Sequence, residues 1–436
     1  VDKALTHKRI ISIALPVVVS NATIPILGAV DTGVVGQLGL AVPIGAVGIG
    51  AIITTAIYWI FGFLRMGTTG LTAQAIGAKE HAEVAALFTR SLFIGLGAGV
   101  IIFALQIPIL WAAFKISPAS DPVENLAHTY LQIRLFSAPA AIAIYGVTGW
   151  LIAHERTKSV LVLQLWMNGL NIALDLLFVL KLGWGVSGVA FATVLAEWSG
   201  LLLGLWLTRG VFLSGEWRNW VHVFNRLKII RMMSVNSDIM IRSVILQACF
   251  LSFLFLGSEL GDVTLAANQV LLQFLYITAY GLDGFALAAE ALVGQAMGAG
   301  NRQVFRRAAR LTSLWGAVGA VLLALGFWLL GGAIIDLMTT SDPVRATAKT
   351  YLIWMIFAPI AGAASWMLDG IFIGATRGKD MRNMMIISGL IYALSVSVLL
   401  PLLGNHGLWA SLLILLVVRG ITLGFCYPRL ERSLPD

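Results

Sequence analysis

The chain has 436 residues, of which 59% are hydrophobic and 11% charged, with a formal net charge of +8. Soluble globular domains average about 45–50% apolar and about 25% charged residues. So few charges cannot coat a water-facing surface of this size, which excludes a soluble enzyme, a disordered chain and a nucleic-acid-binding domain.

The length suits about a dozen membrane helices of ~20 residues each. Twelve apolar spans follow in chain order, at 10–35, 44–68, 86–114, 126–152, 160–181, 186–212, 229–257, 264–297, 308–338, 347–374, 381–403 and 407–428. The expected fold class is an all-α polytopic membrane protein. With the N-terminus cytoplasmic, only Lys115, Lys181, Arg345 and Lys349 fall in the opposite loops, and Arg65, Arg134, Arg242 and Arg419 fall inside spans. The other basic residues gather on the N-terminal side, so the positive-inside rule predicts that both termini are cytoplasmic. The basic balance therefore reports topology and not nucleic acid. The first span is too long for a signal-peptide core and is expected to remain as a helix. Cys249 and Cys426 lie far apart in apolar spans and read as small hydrophobes.

A shift of 221 residues superimposes the two halves. SDPV at Ser120–Val123 recurs at Ser341–Val344, and eight of the twelve positions 120–131 match 341–352. LTAQAIGA (Leu71–Ala78) likewise aligns with LVGQAMGA (Leu292–Ala299). Six spans per repeat return the chain to its starting side. The expected plan is thus two six-helix bundles inserted in the same orientation, with substrate bound between the repeats near the midplane. The domains read as 1–212 and 229–436, joined by a linker at 213–228. In that linker Trp217, Trp220, Val221 and Phe224 recur at helical spacing among basic residues, which predicts a helix lying on the cytoplasmic membrane surface.

Ionisable residues inside a bilayer are expensive and mark function by default. Span 1 carries Ser20, Thr23, Leu27 and Asp31 on one face. Span 5 carries Asn168, Asn171 and Asp175 in a single stripe, and span 6 carries Thr193 and Glu197 one turn apart. Two carboxylates in one cavity cannot both ionise cheaply. Asp31 and Asp175 are thus a candidate proton or Na⁺ site, with Asn171 and Thr193 as neutral oxygen ligands. The competing reading is that these groups only bond the helices to one another. Under the shift, Asp31 falls on Ser252 and Asp175 on Val396, so only the first repeat carries the pair. In span 8, Gln269, Gln273, Tyr276, Tyr280 and Asp283 form a continuous stripe that either packs against span 7 or is a candidate substrate pathway together with Asn168 and Glu197. Asp238 and Arg242, four apart, are expected to neutralise each other. Pro16 can kink span 1 and is the candidate hinge.

Some motifs carry nothing. GWGVSG (Gly183–Gly188) fits a dinucleotide-binding pattern but follows no strand. The sequon at Asn21 lies within a span. No histidine has metal-ligand spacing, so neither metal nor cofactor is expected.

FLRMGTTGLTAQAIGA (Phe63–Ala78), LVGQAMGAGNRQ (Leu292–Gln303), GIFIGATRGKDMRN (Gly370–Asn383) and VDTGVVGQLG (Val30–Gly39) together resemble the multidrug and toxic compound extrusion (MATE) transporters, in their DinF-like branch. The resemblance spans essentially the whole chain. It implies an antiporter and not an enzyme, exporting bulky, amphipathic, often cationic drug-like compounds from a bacterial cytoplasmic (inner) membrane. It also implies that Asp31 couples a cation, with Asn171, Asp175 and Thr193 as partners and Pro16 as the bend of span 1. Span 7 has no mid-span acid, so the implied coupling lies in the first repeat, with H⁺ before Na⁺. A monomer in the lipid bilayer is expected. Two alternatives stand beside this reading: a flippase for lipid-linked saccharides, and an intramembrane enzyme or receptor.

Overall fold

Stretches this apolar can satisfy their backbone polar groups inside a bilayer only as helices or closed barrels. A computed structural model describes residues 5–37, 39–116 and 120–435, and these hold helices and no strand. The first repeat runs α1 (His7–Gly36), α2 (Ala41–Trp59), α3 (Gly62–Gly77), α4 (His81–Ala104), α5 (Gln106–Ile116), α6 (Asp121–Arg134), α7 (Ala138–Ala153), α8 (Thr157–Asp175) and α9 (Gly185–Leu207). Two single turns follow, α10 (Gly210–Leu213) and α11 (Trp220–Val223). The second repeat runs α12 (Arg226–Ser258), α13 (Asp262–Gly298), α14 (Arg302–Met338), α15 (Asp342–Gly374), α16 (Gly378–Leu403) and α17 (Asn405–Arg432). Among the described residues, twelve helical stretches are long and apolar enough to cross a membrane, matching the twelve predicted spans. Three stretches depart from one plain helix. α2 and α3 together make the second, α6 and α7 the fourth, and α8 is prolonged by a π-helical segment at Leu176–Lys181.

The duplication is written into the backbone. Both SDPV motifs start a helix, α6 and α15, with proline in the first turn and an aspartate beside it. Proline lacks the N–H that a helix start leaves unpaired, and a carboxylate there opposes the positive end of the helix dipole. The close helix crossings repeat too. A Cβ on Gly149 would stand 2.5 Å from the Arg65 carbonyl oxygen, and one on Gly370 would stand 2.5 Å from that of Ala286. Each repeat also leaves its SDPV-side bundle through a left-handed residue: Glu155 (φ 58°) in the first and Thr376 (φ 54°) in the second.

A second left-handed pair separates the repeats chemically. α3 and α13 end in matching turns, closed by Lys79 N–H to Ile76 O at 3.0 Å and by Gly300 N–H to Met297 O at 3.1 Å. Lys79 (φ 60°) bears the side-chain strain that Gly300 (φ 63°) avoids. Left-handed backbone costs a residue with a Cβ roughly 1–2 kcal/mol, partly offset by the greater unfolded-state entropy of glycine. Lys79→Gly is therefore expected to stabilise by about 0.5–1 kcal/mol, and Gly300→Lys to destabilise by about 1 kcal/mol or more. Thermal unfolding of the purified variants checks this, and equal midpoints would contradict it.

The chain divides into two compact units, and membership follows packing more than chain order. One holds residues 1–18, 73–79 and 230–436; the other holds 19–72 and 80–229. The end of α3 joins the first of these because glycines let backbones touch. Gly77 sits against the Gln295 carbonyl and Gly298 against the Gln74 carbonyl, with no room for a side chain at either. Gln74 Nε2 also donates to Gly374 O at 3.1 Å and to Thr376 Oγ1 at 3.0 Å. Near the start of α1, Ile10, Ile13, Ala14 and Val17 are buried, and Gly284 of α13 packs against the Ala14 carbonyl.

The linker differs from the single amphipathic helix that its spacing predicts. It is a 3-10 turn at Glu216–Arg218 followed by the one-turn α11. Polar docking onto α4 breaks the periodicity. Arg90 donates to Val223 O and His222 O, each at 2.7 Å, and to Glu83 Oε1 at 2.7 Å. His222 Nε2 and Lys228 Nζ lie 2.9 and 3.1 Å from Glu83 Oε2. Trp217 packs edge-on against Phe212, and Val221 and Phe224 remain exposed.

Candidate cation-coupling site

Three helices of the first repeat turn their polar faces inward. α1 supplies Thr23 and Asp31 two turns apart, α8 supplies Asn168, Asn171 and Asp175, and α9 supplies Thr193 and Glu197. Asn168, Asn171 and Asp175 are all buried. Asn168 Nδ2 donates to Thr23 Oγ1 at 2.8 Å, and Asn168 Oδ1 accepts from Gln164 Nε2 at 2.9 Å. One turn further on, the Asn171 carboxamide satisfies four contacts when its nitrogen faces the acids. Nδ2 then donates to Asp175 Oδ2 at 3.0 Å and to Asp31 Oδ1 at 3.1 Å. Its oxygen accepts from Thr193 Oγ1 at 2.9 Å and from Thr193 N at 3.3 Å. The Thr193 hydroxyl proton has a second acceptor, Val189 O, at 3.0 Å.

That one Asn171 carboxamide nitrogen therefore reaches both Asp31 and Asp175. Two ionised carboxylates that close repel each other, and a proton on either removes the repulsion. Asp175 Oδ1 is buried without a protein partner, which leaves a position for a second proton. The α-helical part of α8 ends at Asp175 and the π-helical segment begins at Leu176. Such changes of helical pitch occur frequently at functional sites.

Beside the pair lies a charge pair that helical spacing does not disclose. Arg134 of α6 grips Glu197 with both ends of its guanidinium, Nη1 to Oε2 at 2.9 Å and Nη2 to Oε1 at 3.2 Å. Nη1 also donates to Ser137 Oγ at 3.0 Å, the Tyr58 hydroxyl donates to Arg134 O at 3.2 Å, and Asp31 lies within the guanidinium's electrostatic reach. Fully ionised, this interior holds three acids and one base; two protons on the aspartates make it neutral. The one hint in the sequence is that Arg134 and Glu197 are opposite charges inside two apolar spans, the fourth and the sixth.

The predicted residues thus fall into separate groups. Asp31, Asn171, Asp175 and Thr193 converge, and Asn168 adjoins them through Thr23. Glu197, expected on the substrate pathway, is instead committed to Arg134. Gln269, Gln273 and Tyr276 are exposed on α13 in the other unit, with Tyr280 and Asp283 half-buried. Pro16 is buried in a helix that continues past it. The expected Asp238–Arg242 pair does not form. Asp238 accepts from Arg382 Nη1 at 2.6 Å, and Arg242 turns to Asp369. Among the described residues, no group of three or more His, Cys, Asp or Glu could hold a metal ion.

The comparisons with known proteins meet this geometry. The MatE family model matches twice, over residues 16–177 and 239–399, at nearly the spacing of the internal repeat. The chain belongs to the MATE family. Its members are transporters and not enzymes, so this protein is a multi-pass MATE efflux transporter for multidrug or toxic compounds. It is 41% identical to the DNA damage-inducible protein F of Escherichia coli (strain K12), over 99% of this chain and 93% of that protein. It is 26% identical to a probable multidrug resistance protein NorM of Xanthomonas axonopodis, over 97% and 94% of the two chains. Among solved structures, it resembles an outward-facing multidrug resistance MATE transporter of the MOP superfamily, with a TM-score of 0.89, 20% identity and coverage of 99% and 97%. The bent form of the Vibrio cholerae MATE transporter VcmN gives a TM-score of 0.85 at 18% identity, covering 98% and 97%. At these identities the structural matches speak for the fold of this MATE transporter.

Proposed function

We propose that this MATE transporter exports bulky, amphipathic, often cationic organic compounds in exchange for protons, by alternating access. Asp31 and Asp175 are the coupling acids and Asn171 and Thr193 their positioning partners. The observation that carries the reading is the convergence of Asp31 and Asp175 on the Asn171 carboxamide, at 3.1 and 3.0 Å, which sets two acids where a proton relieves their repulsion. Protons are favoured over Na⁺ because Asn171 meets both acids with nitrogen, a donor that cannot ligate a cation.

Pro16 supports a hinge in α1. The residues of this helix change unit between Val18 and Val19, half a turn beyond the proline. A proline leaves one carbonyl of the preceding turn without its helical donor and weakens the helix there. The exposed stripe of Gln269, Gln273 and Tyr276 supports a substrate pathway, since polar side chains in a membrane helix avoid lipid. The distribution of lysine and arginine supports a bacterial cytoplasmic membrane location with both termini inside. The exporter works as a monomer and needs no cofactor.

The test is efflux of a fluorescent organic cation from vesicles under an imposed pH gradient or an imposed Na⁺ gradient. Efflux should follow the pH gradient with Na⁺ absent. Efflux that runs only on Na⁺ would overturn the proton assignment.

A further inference from the structure

One face of α14 changes chemistry along its length in the order of a phospholipid. Arg306, Arg307 and Arg310 stand exposed within its first three turns. On the same side of the helix, by the 3.6-residue period, Leu314, Val318, Val321 and Leu325 follow, 39–50% exposed. Trp328, 66% exposed, closes the stripe. From Arg310 to Trp328 is about 27 Å at the helical rise, close to the ~30 Å hydrocarbon core of a bilayer. The apolar stripe therefore faces acyl chains, and the arginines stand at headgroup depth.

α17 borders this surface and repeats its order. Val417, Ile421 and Phe425 are exposed four residues apart, and exposed Arg429 and Arg432 follow. The two helices meet where Phe305 stacks on Tyr427 and Arg306 Nε donates to Glu431 Oε1 at 2.8 Å. Arg302 lies 3.7 Å from the same oxygen, so Glu431 is already spent. Asp238 is held by Arg382, and Glu290 is buried at 2% exposure. Asp380 lies within electrostatic reach of Cys426, as Arg429 does, and offsets Arg429 in part. Among the described residues, no carboxylate pairs with Arg307, Arg310 or Arg432.

The kind of cation is informative. Orienting a chain in the membrane needs positive charge, which lysine supplies as well as arginine. All six basic residues at the adjoining ends of α14 and α17 are arginine. The planar guanidinium fork matches two phosphate oxygens at once, which an ammonium does not.

We propose that the adjoining ends of α14 and α17 bind the headgroup of an anionic phospholipid, with its acyl chains along the α14 stripe. Arg307 and Arg310, one turn apart, hold the phosphate oxygens, and Arg432 adds a third guanidinium. Phosphatidylcholine carries the same phosphate, but its ammonium would enter a cluster of cations. The uncharged glycerol of phosphatidylglycerol would not, so the site selects net-anionic lipid.

The test is native mass spectrometry of the full chain in a neutral detergent, titrated with dioctanoyl phosphatidylglycerol or dioctanoyl phosphatidylcholine. The wild type should bind the first phosphatidylglycerol about tenfold more tightly than phosphatidylcholine, as a few headgroup-level arginines allow. Arg307→Gln/Arg310→Gln should lose most of that preference. Arg156→Gln/Lys158→Gln removes the same charge from exposed residues of the other unit and should leave the preference unchanged. Arg432→Gln should weaken it too, and covers the case in which the first double variant fails to fold. Glycerol 3-phosphate, a phosphate without chains, should not displace the lipid; displacement at equal concentration would overturn the lipid assignment. No preference for phosphatidylglycerol, or equal losses in both double variants, would overturn the proposal.

Discussion

Asp31→Asn is expected to reduce gradient-driven efflux to the leak of vesicles without protein, while the variant folds and still binds substrate. Asparagine keeps the shape of the side chain, so the contact to Asn171 at 3.1 Å has a successor. What disappears is the carboxyl that can take up a proton beside Asp175. Asp175→Asn should behave in the same way, because either change leaves one acid and removes the like-charge pair. The neutral partners should matter less. Thr193→Val deletes one hydroxyl contact, worth about 0.5–1.5 kcal/mol, so efflux should fall only a few-fold. Asn171→Leu should fall between these, since it removes both donors that hold the acids together. The check is initial efflux rate in vesicles under a fixed pH gradient, with substrate binding measured on the same preparations. If Asp31→Asn and Thr193→Val proved equally mild, coupling would have to lie elsewhere.

Much of this site was legible because it rests on rules local to one helix. Asn168, Asn171 and Asp175 lie on one face by spacing alone, and so do Thr193 and Glu197. The duplicated SDPV motif likewise fixes two helix starts through proline and aspartate chemistry, and both appear where the motif stands. Choices of partner across helices were not legible. Asp238 and Arg242 have the spacing of an intrahelical pair, yet a long arginine side chain can reach a neighbouring helix, and Arg242 finds Asp369 there. Arg134 and Glu197 lie 63 residues apart, and only the packing of α6 on α9 brings them together. The migration of residues 73–79 into the unit of the second repeat depends on backbone contact at Gly77 and Gly298. A glycine in a sequence does not say which carbonyl will approach it.

Breaking the Arg134–Glu197 pair is expected to cause the largest loss of stability among single substitutions at this site. The two side chains are 9% and 13% exposed, so water can do little to replace a lost partner. Truncating one member of a buried ion pair typically costs about 3–5 kcal/mol, because the other charge remains unpaired. Glu197→Ala should show this in full, since Arg134 then loses its paired carboxylate and keeps neutral contacts such as Ser137. Arg134→Met should be at least as damaging, because it leaves Glu197 unpaired and removes a cation within reach of Asp31. The pair as a unit is a different matter: replacing both members by apolar residues of similar volume is often neutral, or stabilising by about 1–4 kcal/mol. The double variant Arg134→Met/Glu197→Leu should therefore recover most of the loss in thermal unfolding of the purified protein. A double variant no more stable than the singles would show that Arg134 works chiefly through Ser137 and the aspartates. Recovery of stability without recovery of efflux would separate the two roles, leaving the fork as helix packing and the charge beside Asp31 as part of coupling.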